Sequence, residues 1–244
     1  MLFKTIMAEQ IKLRHSPVWL AFIILPVLSA VMGTFNYLQN IGILQDQWYS
    51  LWTQHTLFLC YFFLPPLLGV YCSYLCRLEH TNHNWNAVMT APVPISFLYL
   101  AKLTSASVMA LFTQIWIGIL FVLSGKISGL TSPVPPALPV WLLCGFAGEI
   151  VICALQLFIS LIIRSFAVPV GIALIGGIMG LGAMAKGYGV WFPYSLLCLG
   201  MRANRPGGPM QCSVPGFCVN ILIFLILFMT LSMIWLKRSD VVAE

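Results

Sequence analysis

Apolar residues arrive in long uninterrupted runs, broken by short polar ones. A helix needs roughly 20 mostly apolar residues to cross the hydrocarbon of a bilayer. Six runs have that scale: Val18–Phe35, Thr56–Cys76, Leu103–Gly125, Val140–Ile163, Ala167–Ala185 and Phe217–Leu236. None alternates with period two, so the runs predict helices and not barrel strands. Glu149 is the one charged residue inside them. The first run follows Lys4, Lys12 and Arg14, as a signal peptide would, but it outlasts a signal core of about 7–15 residues and reads as a retained span.

Composition agrees with that pattern. Of 244 residues, 60% are hydrophobic and 7% charged, where a soluble domain carries about 25% charged residues. The six runs use most of the chain, so residues 1–244 read as one transmembrane domain without a soluble module. The formal charge of +6 is spread singly between apolar runs, which suits topology determinants and excludes a nucleic-acid face. With the N-terminus inside, Lys4, Lys12, Arg14, Arg77, Lys102, Arg164, Lys237 and Arg238 fall on the inner side. Lys126, Lys186, Arg202 and Arg205 fall outside. That asymmetry predicts both termini in the cytoplasm. Cys60, Cys72, Cys76, Cys144 and Cys153 sit in apolar runs as small hydrophobes. Cys198, Cys212 and Cys218 lie in or beside one loop, leaving a single disulfide open there.

Between the spans, residues 1–15 are amphipathic, with Leu2, Phe3, Ile6, Met7 and Ile11 at helical spacing and Lys4, Glu9 and Lys12 largely elsewhere around the helix. Such a segment reads either as a helix lying flat in the inner interface or as an ordinary N-terminal flank. Pro17 then permits a sharp turn into the membrane. Trp48, Tyr49 and Trp52 suggest an interfacial aromatic belt. The loop 186–216 is rich in Gly and Pro, and its start, 190–199, is apolar enough to re-enter or lie on the membrane.

Candidate chemistry is sparse. The inner segment 77–94, with Arg77, Glu79, His80, His83 and Trp85, is long enough to form a helix ended by Pro92 and Pro94. It reads as a docking helix for a cytoplasmic motor or as a solvated connector. His80 and His83 are spaced i, i+3, not the i, i+4 of a zinc helix, and no further ligands accompany them, so no metal site is expected. Glu149, Gln156 and Gln114 suggest a polar strip that either lines a route for a cationic substrate or supplies structural hydrogen bonds. Gly176 and Gly180 form GxxxG for close helix packing, within the chain or with a second subunit. Pro65 and Pro66 predict a kink in the second span. Gly125-Lys126 fails the phosphate-loop pattern, and no G-x-S-x-G elbow or paired carboxylate set occurs. The chain is therefore expected to be no enzyme and to hydrolyse no ATP by itself.

The interfacial N-terminal helix, six spans, polar inner loop and missing nucleotide-binding domain together resemble the ABC-2 type permeases. The wording Trp48-Tyr-Ser-Leu-Trp-Thr-Gln-His55, Phe63-Leu-Pro-Pro66, Leu78-Glu-His-Thr-Asn-His-Asn-Trp85 and Thr90-Ala-Pro-Val-Pro94, with Lys102, is similar to lantibiotic-immunity permeases of the mutacin and epidermin group. That likeness is specific over about 45–102 and architectural elsewhere. It implies an all-α ABC-2 half-permease, like type V exporters, in a bacterial cytoplasmic membrane. Its implied partners are a second related permease or a second copy of itself, and two copies of a cytoplasmic ATPase that bind the ATP and Mg. This chain would hold no cofactor. The implied cargo is a cationic lantibiotic peptide expelled for self-immunity. Glu79 takes the coupling-region Glu of the family, with Arg77 and His80 as further docking contacts and His83 and Trp85 in the same segment. The alternatives are an ABC-2 exporter of a bacitracin-like peptide, drug or lipid, and, from another class, an intramembrane enzyme or a non-transporting assembly protein.

Overall fold

The computed structural model describes residues 1–80 and 93–238. Its regular elements are helices: α1 (Leu2–Leu13), α2 (Val18–Gln39), α3 (Gln47–Phe58), a π turn (Leu59–Phe63), α4 (Leu64–His80), α5 (Ile95–Ile127), α6 (Leu138–Ile162), α7 (Ala167–Ala185), a 3₁₀ turn (Gly189–Trp191), α8 (Ser195–Gly200) and α9 (Val214–Arg238). Six helical stretches are long and apolar enough to cross a membrane. The chain is an all-helical membrane protein.

The second crossing is built from α3, the π turn and α4 in one stretch, Gln47–Arg77, and 67% of its apolar window is buried. The corresponding shares are 28% for α2 and 22% for α9. The second crossing is therefore the centre, with α6 and α7 packed on α4 and α2 and α5 beside them, while α9 leans on α6. The exposed Leu20, Ile24, Val31 and Phe35 of α2, and Leu222, Ile223 and Ile226 of α9, suit contact with acyl chains.

The crossing starts nine residues before the apolar run does, at Gln47. Trp48 and Trp52 are thus packed inside the bundle. Trp52 is fully buried, with ring centroids 4.8 Å from Phe121 and 5.2 Å from Trp141. The indole N–H of Trp52 donates to Met201 O at 2.8 Å. Pro65 and Pro66 account for the π turn: neither has an N–H to return to the preceding turn, so the ladder widens there.

At the other end, α1 shows Phe3, Met7 and Ile11 to the surroundings, an apolar stripe suited to the interface. Its opposite side is not solvated: Glu9 and Leu13 are buried against α5 and α4. The corner into α2 is fixed by Leu13 O, which accepts from Ser16 Oγ and from Trp19 Nε1, both at 2.9 Å.

The loop after α7 turns inward. Every residue of α8 is buried, and the whole helix packs on α6. Small residues allow this. A Cβ on Gly148 would sit 2.6 Å from Leu197 N, and one on Gly200 would strike the Cys144 carbonyl. Gly176 makes room for the Tyr194 ring, and Gly180 O accepts from Ser195 Oγ at 3.1 Å. The GxxxG of α7 thus receives the re-entrant segment of its own chain. All eight cysteines are free thiols, Cys198 among the buried ones.

The glycine contacts make a graded prediction. Gly148→Val pushes side-chain atoms into backbone and is expected to cost about 1–3 kcal/mol or more, whereas Gly171→Ala, with nothing within 4 Å, is expected to leave stability unchanged. Thermal unfolding in detergent checks the pair, and equal melting temperatures would contradict the tight α6–α8 contact.

Candidate functional site

Four charged side chains meet where α1, α4 and α5 converge. Lys102 Nζ on α5 donates to Glu79 Oε1 at 2.6 Å, to both oxygens of Glu9 at 3.3 Å, and to Leu75 O at 3.1 Å. Lys12 Nζ donates to Glu9 Oε1 at 2.7 Å and to Glu79 Oε1 at 3.1 Å. The Lys102, Glu9 and Glu79 side chains are 3%, 4% and 3% exposed, and Lys12 is 30% exposed. Two acids and two ammonium groups balance, so burial leaves no net charge to solvate. An ammonium has three protons, and Lys102 finds oxygens for all of them.

Glu79 therefore faces its own chain's lysines and not the solvent. Of the neighbouring candidates, Arg77 is exposed, with its guanidinium carbon 5.7 Å from the centre of the Phe166 ring. His80 is partly buried, with Nε2 3.1 Å from Ser160 O at the end of α6. Ser73 and Ser160 hydroxyls pair at 3.2 Å on the same seam. His83 and Trp85 lie outside the described residues. Burial lowers the His80 pKa below its ordinary 6.5 more than the Ser160 carbonyl raises it.

Deeper in the bundle, Gln114 Nε2 donates to Glu149 Oε1 at 2.9 Å, bridging α5 and α6. Gln156 does not join them. Its Nε2 donates to the Tyr194 hydroxyl at 2.7 Å, bridging α6 to the re-entrant segment. All three side chains are enclosed: Glu149 and Gln156 are fully buried and Gln114 is 2% exposed. Glu149 Oε2, Gln114 Oε1 and Gln156 Oε1 accept no hydrogen bond among the described residues. In this conformation the strip is two separate bridges with spare acceptor atoms, and no open route runs along it. Tyr71 and Thr113 add a third bridge, hydroxyl to hydroxyl at 2.8 Å, between α4 and α5.

Glu9, Lys12 and Lys102 were not among the residues the sequence singled out as a site. The available signal was the opposite pair Glu9 and Lys12 at i, i+3 and an ionisable residue, Lys102, at the edge of a long apolar run. Nothing in the sequence pairs residue 9 with residue 102.

A family model described as ABC-2 family transporter protein matches residues 5–180 of this chain. Neither the comparison with curated proteins nor that with solved structures returned a match. The matched region begins within α1, contains the ion cluster and the Gln114–Glu149 bridge, and ends within α7.

Unequal burial of the two lysines predicts unequal costs of removing them. Lys102→Met leaves two enclosed carboxylates with a single half-solvated partner and is expected to cost roughly 3–5 kcal/mol. Lys12→Met is expected to cost about 1 kcal/mol or less, because that ammonium is already partly hydrated. Detergent melting curves rank them, and similar losses would show that the enclosed lysine is not the keystone. His80 gives a pH prediction. Its folded pKa is depressed, so folding favours the neutral ring; that stability is complete above about pH 6.5 and falls away as pH drops toward the folded value. His80→Gln should flatten the loss on acidification, and an unaltered pH profile would rule the ring out.

Proposed function

The chain belongs to the ABC-2 transporter family, and from that premise we propose that it is the permease half of an exporter that clears lantibiotic-type cationic peptides from the membrane of the cell producing them. A transport permease of this family works with an ABC ATPase. Two ATPase copies and a second permease, related or identical, complete the proposed assembly. ATP and Mg are bound by the ATPase, and this chain supplies the membrane path and the grip. Both termini face the cytoplasm of a bacterial cell, and the loops 40–46, 128–137 and 186–213 face outward. The peptide cargo rests on the likeness of 45–102 to immunity permeases; the mechanical part rests on the ion cluster.

That cluster is the observation carrying the coupling reading. The segment 81–92 follows α4 just after Glu79 and precedes α5, whose first residue, Ile95, lies seven residues before Lys102. The Glu79–Lys102 pair clasps the two ends, and Glu9 and Lys12 fasten the interfacial helix to the same point. Closure of the ATPase dimer pulls on 77–94, and the clasp passes the displacement to α1, α4 and α5 together. Arg77 and His80 stand beside the clasp as contacts for the motor, His83 and Trp85 continue the same segment, and Glu79 acts as the anchor beneath them. Rocking of the half-permeases then separates the outer ends. The bridges Gln114–Glu149 and Gln156–Tyr194 open with them, and their spare oxygens meet the cationic cargo.

Deletion of the coding sequence followed by growth against a lantibiotic panel tests the cargo. Sensitisation to at least one lantibiotic is expected; unchanged growth against all, or sensitisation only to a bacitracin-like peptide, rejects the immunity reading. Glu149→Gln retains the partner of Gln114 but removes the acid. A fall in resistance of about tenfold is expected, in line with the roughly 1.4 kcal/mol that separates a charged from a neutral partner. Full resistance would leave Glu149 as a packing bond only. Glu79→Lys should abolish co-purification with the ATPase, and retained co-purification would refute the anchor.

A further inference from the structure

Two clefts open side by side at the end of the bundle remote from the ion cluster. Each encloses about 700 Å³ (about 700 and about 710 Å³), within the roughly 300–1,000 Å³ typical of ligand clefts. One runs between the 43–53 region and the loop 204–207, with Ile43, Leu44 and Pro206 among its walls. The other runs from α3 to the proline-rich turn 133–136, with Trp48 at its base. Gln45, Asp46 and Tyr49 belong to both, so they form the ridge between them.

The ridge carries unmatched charge. Among the described residues, the other acids, Glu9, Glu79 and Glu149, are buried and bonded, while Asp46 is exposed. Among the described residues, no side-chain hydrogen bond or ion pair takes up the Asp46 carboxylate or the Arg205 guanidinium. Asp46 is engaged through its backbone: its N–H donates to Ser50 Oγ at 3.1 Å and its carbonyl accepts from Tyr49 N at 2.9 Å, while its carboxylate makes no cap bond. Arg205 lines the first cleft and not the second. Tyr49 stands beside Asp46 with its ring partly exposed.

We propose that the paired clefts form one groove for an extended, amphipathic cationic peptide. An ammonium or guanidinium group of the peptide sits on Asp46, flanked by the Tyr49 ring. Apolar side chains on either side of that cation enter the Pro133–Pro136 cleft and the Ile43–Pro206 cleft. Arg205 repels a second cation and takes the peptide's terminal carboxylate, which fixes its direction in the groove. A compact cation would need one cleft and no Arg205; the order apolar, cationic, apolar, anionic suits a chain. This groove deepens the export reading, because it gives the proposed cargo a docking surface on the outward face.

Fluorescence anisotropy on the full chain in detergent micelles tests the groove, with a labelled lysine–leucine peptide bearing a free C-terminus as probe. Asp46→Asn is expected to weaken binding about fivefold, the scale of one exposed charge pair, and added salt should weaken the wild type in the same direction. A glutamate–leucine peptide should bind poorly. Arg205→Gln should erase the preference for a free carboxylate over a C-terminal amide. Equal binding by wild type and Asp46→Asn, or no binding of the cationic peptide by wild type, overturns the groove. The deletion phenotype separates this from the export reading. Sensitised cells with Asp46-independent binding leave export standing and remove the groove. Asp46-dependent binding in a protein whose deletion sensitises nothing keeps the groove and removes export.

Discussion

An ammonium group enclosed among helices has to be matched by anions, and in this protein the matching decides which helices stay together. Lys102 is 3% exposed; without Glu79 and Glu9 its desolvation would be worth several kcal/mol against the fold. The anions come from residues far away in sequence, one on α1 and one at the end of α4, so the requirement is met only when all three helices meet. Helix α1 is consequently a structural member of the bundle. Detaching it would strand Glu9 and leave Lys102 with half its partners. Apolar packing between helices is weakly directional in lipid, because acyl chains offer similar contact. A charge cluster supplies the direction that apolar side chains do not.

The same economy shapes the opposite half of the bundle, with hydrogen bonds in place of ion pairs. The re-entrant stretch 194–203 is tied to three crossings: Tyr194 to α6 through Gln156, Ser195 to α7 through Gly180 O, and Met201 O and Ala203 O to α3 through Trp52 and Thr56. Backbone that leaves the helical pattern at membrane depth has to be satisfied by protein, and these bonds do so. Under the proposed export, any passage through the middle would have to break them as a set. The spare acceptor oxygens of Glu149, Gln114 and Gln156 lie on α5 and α6 beside it.

Hydropathy made the crossings legible because a spanning helix advertises itself by continuous apolar length, which no neighbour can alter. The ends of those crossings were less legible. Trp48, Trp52 and His55 look like interface residues when counted by polarity, yet they belong to the best-buried helix because Phe121 and Trp141 cover them. Glu79 was legible as special and illegible in its role: a lone acid in a basic-leaning inner loop suggests a surface contact until Lys102 and Glu9 are seen on either side. The Gly176–Gly180 pattern announced close approach without naming the approaching group, since the pattern specifies space and nothing about what fills it. Gln156 bonds to Tyr194 and not to the Gln114–Glu149 pair, because a segment far along the sequence packs on α6 and offers it a hydroxyl.

Lys12 and Lys102 carry two burdens that act at different times. During insertion each is an unpaired positive charge beside an apolar run, and the bias of Lys and Arg, not net charge, sets which side stays in the cytoplasm. In the proposed orientation these lysines help hold the α1 corner and the start of α5 inside. Once the helices assemble, Glu9 and Glu79 neutralise them, and charges that serve the proposed topology become the bonds that fix the packing. Exchanging Lys102 for an apolar residue therefore removes an insertion signal and a keystone together, whereas exchanging Glu79 spares the signal and breaks only the clasp. The two kinds of variant separate topology from coupling, and that separation follows from where four side chains sit.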